Sequence, residues 1–502
     1  MPRPGVVAAL AAWAVLLVGL LTWPLLRPGQ LAARDMLVLD HPSLTAAALG
    51  FGDLAARNVP QDGLLALVGT LLPASWFARV VIVVASAGAA AGAAWLTAVV
   101  RRRAGLPVTA LPIAAAMTVA VWNPFAVERL LQGHWSLVVA AWLLPAIAAA
   151  GLTGRPLPQG LLIFAASLTP TGGLFAAATA VVTARGRHRL SALVVGVACC
   201  LPWIVPGLLA GAGTTTSSAA SVAAFAPRAE EHAGTLGALL GLGGIWNAAA
   251  VPASRTVGFA LAGVLLFVVL LLSARRCPPV LLALAAAGLG GAIAVWLLPG
   301  AVGWLVETVP GAGLLRDGQK LVALALPAYV ALAGLARPIP AGLIVVLAIL
   351  QVPDAPKAVQ QIAPVHVAVD EGLVEFADGR DVFFPGRSGL STRADGMVVV
   401  DPFTKAMSVV QSGELVVDGV RVDAPSPRYE AAQRAWAKRD VEALAELGVG
   451  VVVDGERVVE TGAPARGLPA AGVALLAWWL VVPLMLAGLW ALRSRNLARS
   501  IP

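Results

Sequence analysis

Apolar runs of about 18 to 25 residues recur along this chain, each long enough to cross roughly 30 Å of hydrocarbon as a helix. That repetition limits the fold more than any local motif does. Hydrophobic residues make up 59% of the 502 positions and charged residues 12%, and no single soluble core takes up so much apolar surface. The chain reads as a polytopic membrane protein. Gly and Ala are frequent within the runs, as expected where helices pack closely in lipid. The net charge of +8 does not point to nucleic acid, because the arginines gather at the ends of apolar runs. Examples are Arg101–Arg103, the trio Arg185, Arg187 and Arg189, the pair Arg275–Arg276, and the tail residues Arg493, Arg495 and Arg499. Cys199 and Cys200 lie inside a run and Cys277 follows Arg276, so neither a disulfide framework nor a metal site is readable.

With the N-terminus in the cytoplasm, spans are expected at 5–26, 76–100, 107–122, 136–152, 190–211, 257–274, 278–298, 319–336, 339–352 and 469–492. The first run is long for a signal peptide and meets Trp23-Pro24 where a small-residue cleavage site would stand, so it reads as an uncleaved span. The stretch 160–184 is interrupted by Thr169-Pro170-Thr171-Gly172-Gly173 and has basic residues at both ends. It reads as a re-entrant helix pair, a form tolerated at that depth only when buried in protein or lining a cavity. The expected fold is an all-α polytopic bundle of about 10 full spans plus the broken pair. The expected division is a transmembrane domain at 1–352, a small mixed α/β domain at 353–468, and a final span with a basic cytoplasmic tail at 469–502.

The middle region earns its separate status by composition. It holds 18 acidic against 12 basic residues, with β-prone runs at 397–400 and 449–454, turns at Asp378-Gly379 and Asp418-Gly419, and a helical stretch near 428–447. The rest of the chain holds nine acidic residues: Asp35, Asp40, Asp53, Asp62, Glu128, Glu230, Glu231, Glu307 and Asp317. Every one falls in a loop assigned to the outer face. Acids contribute little to the charge rule that sets orientation, so this bias points to binding or chemistry outside.

Four polar stretches stand out. In the first outer loop, Arg34-Asp35 and Asp40-His41 lie close to the membrane boundary, where a carboxylate is costly unless paired or used. The stretch VWNPFAVERLLQGHW (121–135) sets Glu128, Arg129, Gln132 and His134 between two apolar runs, with Glu128, Gln132 and Trp135 spaced to share a helical face and Gly133 allowing close approach. A buried Arg129 would make a good phosphate ligand, oriented by Glu128. A third stretch, PGAGLLRDGQK (310–320), puts Arg316 and Lys320 at a span's mouth. The fourth is the long loop 211–256, Ser/Thr/Ala-rich at its start, with Glu230, Glu231, His232 and Trp246. Plain readings exist for each: solvated loops, capping residues, interfacial aromatics and a snorkelling lysine. No phosphate-binding loop, nucleophile elbow, zinc-protease or dinucleotide motif occurs.

Taken in order, the Arg34-Asp35 loop, WNPFAVERLLQGHW, LGLGGIW (240–246), GLLRDGQKLVALALP (313–327), VVVDPFTKAMSVVQSGELVV (398–417) and DVEALAELGVGVVVDGE (440–456) resemble the GT-C-type membrane glycosyltransferases. The likeness is to actinobacterial arabinofuranosyl- and mannosyltransferases. It implies a polyprenyl-phosphate-linked sugar as donor, an envelope glycan or glycolipid as acceptor, and a site on the outer face of the plasma membrane. It also implies Asp35 as catalytic base. Arg129, Arg316 and Lys320 are then the candidate phosphate ligands, with Arg34, Asp40, His41, Glu128, Gln132, His134, His232 and Trp246 supporting. No cofactor is implied beyond a possible divalent cation, and the first loop lacks the adjacent Asp-Asp or Asp-Glu pair that would mark one. Rival readings are a transporter or flippase for envelope precursors, which would keep charges near the midplane and show paired repeats, and a non-catalytic assembly protein.

Overall fold

A computed structural model describes residues 4–209, 218–309 and 311–499, with side chains described as far as Leu492. The end of the 190–211 span, the Ser/Thr-rich start of the following loop and the side chains of Arg493, Arg495 and Arg499 lie outside the described residues. Among the described residues, nine helices are long and apolar enough to cross a membrane: Pro4–Leu26, Ala74–Arg103, Ala110–Gln132, Trp135–Leu152, Arg187–Leu209, Pro279–Leu297, Gly318–Leu335, Pro338–Ile362 and Ala470–Leu492. The protein is thus a polytopic bundle with small sheets. The run expected as a span at 257–274 forms a 12-residue helix, Ala260–Leu271, flanked by 3-10 turns. At 1.5 Å per residue the helix itself covers about 18 Å, and the turns Ala253–Val257 and Ala274–Arg276 lengthen the run at both ends toward a full crossing.

Prolines set the breaks. A residue before proline is pushed out of the helical region, while proline itself suits the first helical position. Thr169 is accordingly extended (φ −135°, ψ 150°), which separates the helices Pro156–Ala166 and Pro170–Thr183. The same device acts at Asn123 (φ −144°, ψ 154°), so the helix Ala110–Val121 stops and a nine-residue helix, Pro124–Gln132, begins. The Asn123 side chain caps it by accepting from the Ala126 amide at 2.9 Å, and Gly133 in the left-handed region (φ 91°) ends it. Trp135 therefore belongs to the next helix and does not continue the face of Glu128 and Gln132.

The charges sort to two ends of the bundle. The helices Ala74–Arg103, Trp135–Leu152 and Leu326–Leu335 converge at their C-termini. There Arg101 donates to the carbonyls of Pro107 (2.6 Å) and Gly334 (2.9 Å), and Arg103 donates to that of Leu152. At the other end the Ala74 amide donates to the Asp40 carbonyl (2.8 Å), and Asp35 and Asp317 meet residues of the Pro124–Gln132 helix and its cap.

The acidic end carries the β-containing segment. Val382–Phe383 pairs parallel with Val451–Asp454, which pairs antiparallel with Arg457–Glu460. Two hairpins, Leu390–Thr392 with Val398–Val400 and Leu415–Val417 with Val420–Asp423, lie alongside in the sequence. Asp418 and Gly419 both take positive φ, as a tight two-residue hairpin turn requires. The helical stretch near 428–447 is two helices, Pro427–Ala437 and Val441–Glu446, the second capped by Asp440. Phe383, Tyr429, Trp436 and Val452 form one core here, and Val382, Phe384, Met407 and Val451 another. Ion pairs tie the segment to the first loop: Lys405–Asp62 at 2.5 Å and Arg428–Asp53 at 3.4 Å.

Candidate active site

Two short antiparallel strands, β1 (Leu31–Ala33) and β2 (Met36–Val38), leave Arg34 and Asp35 as the two-residue turn between them. Arg34 has φ 50°, a left-handed value uncommon for a residue with a side chain. The turn is held on every side. Arg34 donates to the carbonyls of Leu131 (2.6 Å) and Ala249 and to Gln361 Oε1 (2.8 Å), and its own carbonyl accepts from the Val400 amide (3.0 Å). The Asp35 amide donates to the Gln132 carbonyl (3.1 Å). Gly133 makes this contact possible, since a Cβ there would lie 2.2 Å from the Met36 nitrogen and 2.5 Å from the Ala33 carbonyl oxygen.

The Asp35 carboxylate accepts from Gln132 Nε2 (3.0 Å) and lies 2.9 Å from His134 Nε2, with 45% of its side chain still exposed. Burial raises its pKa, but the bond from His134, the Gln132 bond and the charge of Arg129 outweigh that and hold it below the ordinary carboxylate value. Gln132 is oriented in turn by Asn247, whose Nδ2 donates to Gln132 Oε1 at 2.7 Å. His134 is oriented by Arg129: Nη1 lies 3.0 Å from His134 Nδ1. A guanidinium can only donate, so Nδ1 must accept, and the ring proton sits on Nε2, facing Asp35. His134 in this state donates to the carboxylate and has no free nitrogen with which to take a proton.

Arg129 is fully buried and binds Asp317 through Nη1 (2.5 Å) and Nη2 (2.7 Å), with Gln319 Oε1 3.0 Å from its Nε. Despite its burial, Asp317 is pushed down to about 2, chiefly by Arg129. Glu128, expected to orient Arg129, instead accepts from the Ile245 amide (3.0 Å) and lies 3.4 Å from Arg255 Nε. Arg255 also pairs with Glu230, and all three side chains are buried. This network fixes the LGLGGIW segment against the Pro124–Gln132 helix.

A cavity of about 870 Å³ opens over Asp35. Of the residues singled out in the sequence, Arg34, Asp35, Gln132, His134, Trp246, Arg316 and Lys320 line it. Arg129, Glu128, Asp40, His41 and His232 do not. Asp40 accepts from Ser75 Oγ beside the start of the Ala74–Arg103 helix, and His41 Nδ1 lies 2.7 Å from the Gly69 carbonyl. His232 is exposed beside Glu231 (3.7 Å). Asp317, one of the nine outer-face acids, also lines the cavity, as do Thr169, Pro170 and Thr171 at the broken helix pair and Arg57, Asn58 and Asn247, which no motif marks as site residues. Arg255 is not marked either, because an arginine before an apolar run reads as a topology charge. Arg316 pairs with Asp423 (2.6 Å) and stacks over Phe225 (4.2 Å to the ring centre). Lys320 makes no hydrogen bond or ion pair among the described residues. No group of three or more His, Cys, Asp or Glu able to hold a metal occurs among them.

No protein-family model matches the chain, and no curated protein matches it. Among solved structures, it is similar to a mutant form of the arabinofuranosyltransferase AftD from mycobacteria, at 16% identity and a TM-score of 0.48, over 90% of this chain and 37% of that one. The chain thus spans little more than a third of that protein's length.

Proposed function

We propose that this protein is a GT-C-type membrane glycosyltransferase that moves a sugar of the arabinofuranose or mannose class from a polyprenyl-phosphate donor to an envelope glycan or glycolipid. One observation carries the reading: a half-exposed carboxylate, Asp35, shares a large cavity with Lys320, whose amine has no hydrogen bond or ion pair among the described residues. Asp35 takes the proton of an acceptor hydroxyl as that oxygen attacks the anomeric carbon. The carbon–oxygen bond to the phosphate breaks, the polyprenyl phosphate leaves with the electron pair, and the centre inverts. Lys320, with Arg57 and Arg316 beside it, meets the charge that develops on the leaving phosphate. Arg129 acts through His134 as a positioning residue. It replaces the earlier expectation of a direct phosphate ligand, because its donors are engaged by Asp317, Gln319 and His134.

The donor's isoprenoid tail would enter beside Thr169–Thr171, where the broken helix pair meets the cavity. The basic end of the bundle faces the cytoplasm by the charge rule, so both chain termini lie there, and the cavity and the 353–468 domain face outward. The division 1–352, 353–468 and 469–502 belongs to this reading. The test is transfer from radiolabelled polyprenyl-phosphate arabinose or mannose in membranes. Asp35→Asn is expected to abolish it, and full transfer by that variant would overturn the proposal.

A further inference from the structure

A second cavity, of about 310 Å³, adjoins the first. The two share Arg57, Asn58, Arg316, Leu390, Val400 and Leu415 as a common wall. The first cavity reaches the spans through Leu137 and Thr169–Thr171, whereas the second is lined only by 37–65, Arg316 and 389–423, outside the membrane-crossing helices. Its ligand therefore approaches from water.

The charges of the two cavities also differ. The second is lined by three cations, Arg57, Arg316 and Lys405, and three carboxylates, Asp62, Glu414 and Asp423. Lys405 is paired with Asp62 (2.5 Å), Arg316 with Asp423 (2.6 Å), and Glu414 with Arg421 (2.8 Å). Two of the three cations and all three carboxylates are thus already engaged, and Arg57 belongs to the wall shared with the first cavity. Uncharged hydrogen-bonding capacity is present instead: neither the Asn58 nor the Gln411 side-chain amide makes a hydrogen bond among the described residues. Each offers two donors and an acceptor, the complement of sugar hydroxyls.

We infer that the second cavity is a subsite for a neutral oligosaccharide, holding acceptor units behind the one that reacts at Asp35. The inference rests on the glycosyltransferase reading for its direction, and on the cavity itself for its ligand class. An acceptor of several sugar units would then bind better than a single sugar, and length preference would reside in loop 37–65 and the 389–423 segment.

The test is calorimetric binding of octyl glycosides carrying one or three α-linked arabinofuranose or mannose units to the full chain in lipid nanodiscs, without donor. The trisaccharide is expected to bind at least tenfold more tightly than the monosaccharide. Ala55→Trp, which fills the cavity from an exposed lining position, and Gln411→Leu, which removes an amide, should each cut that advantage at least fivefold. Asp35→Asn should leave it intact. Equal affinity for the two lengths, or an advantage that survives both variants, would overturn the subsite, as would tighter binding of a sulfated trisaccharide. Thermal melts of each variant separate a blocked site from a misfolded chain. Binding without transfer by wild-type membranes would sink the catalytic reading and leave the subsite standing.

Discussion

Replacing His134 with Phe tests how the Asp35 carboxylate is prepared. The substitution keeps a planar ring but removes the Nε2 donor that lies 2.9 Å from Asp35. A hydrogen bond to a charged group contributes about 1.5–3 kcal/mol, so losing this one should raise the Asp35 pKa. The sign follows from the state that is stabilised: the bond favours the ionised form, and its loss leaves burial, which favours the neutral form, less opposed. The acid limb of kcat/KM for sugar transfer should therefore lie at a higher pH in the variant than in wild type. Transfer would be measured in membranes from roughly pH 4 to roughly pH 8, at limiting donor. Asp317 lies outside this window. Held near 2, its stabilising contribution is complete above about 3.8 and is lost only as the pH falls toward 2, and melts at each pH check that the fold persists. Arg129 keeps its bonds to Asp317 and Gln319 in the variant. An acid limb that stays where it is in wild type would refute the argument, because the base would then not depend on His134.

Arg129→Met and Lys320→Met should differ in kind. The first strands Asp317 without its partner and should cost about 3–5 kcal/mol of stability, read as a lowered melting temperature. The second should leave the melt unchanged and raise KM for the lipid-phosphate donor by about tenfold or more, as expected for a lost charge-assisted bond. Gly133→Ala places a methyl 2.2 Å from the Met36 nitrogen at a left-handed position, so the β1–β2 turn must shift and kcat should fall at least tenfold with the donor KM little changed. His232→Ala, at an exposed residue off the cavity, should change transfer by less than about twofold; a larger loss would bring the 227–234 loop into the site.

Much of the bundle was legible because membrane spans are written in one dimension: run length, flanking arginines and proline breaks. The interruption at Thr169-Pro170 and the capped restart at Asn123-Pro124 follow from local rules. What the sequence could not show was pairing at long range. Arg129 and Glu128 are adjacent in the chain but point to different partners, Arg129 to Asp317 and Glu128 to Ile245 and Arg255. Successive helical side chains diverge by about 100°, so adjacency is poor grounds for an ion pair. The cavity was equally hidden, since its lining comes from loop 27–63, the Pro124–Gln132 helix and its cap, the 225–249 and 313–320 segments and the β hairpins.

The turn at Arg34 shows why a strained residue can be kept at a site. A left-handed conformation costs a residue with a side chain about 1–2 kcal/mol relative to glycine, which would adopt it freely. Glycine there would nonetheless lose the guanidinium that joins the turn to Leu131, Ala249 and Gln361. Those three partners belong to the helix carrying Gln132, the segment carrying Asn247 and the 3-10 turn at Val359–Ile362. The first two are the sources of the side chains that orient the Asp35 carboxylate. Arg34 thus fixes the backbone of the base to the same elements that fix its side chain. The three bonds offset the backbone cost, and strain and catalytic geometry have a common origin in one residue.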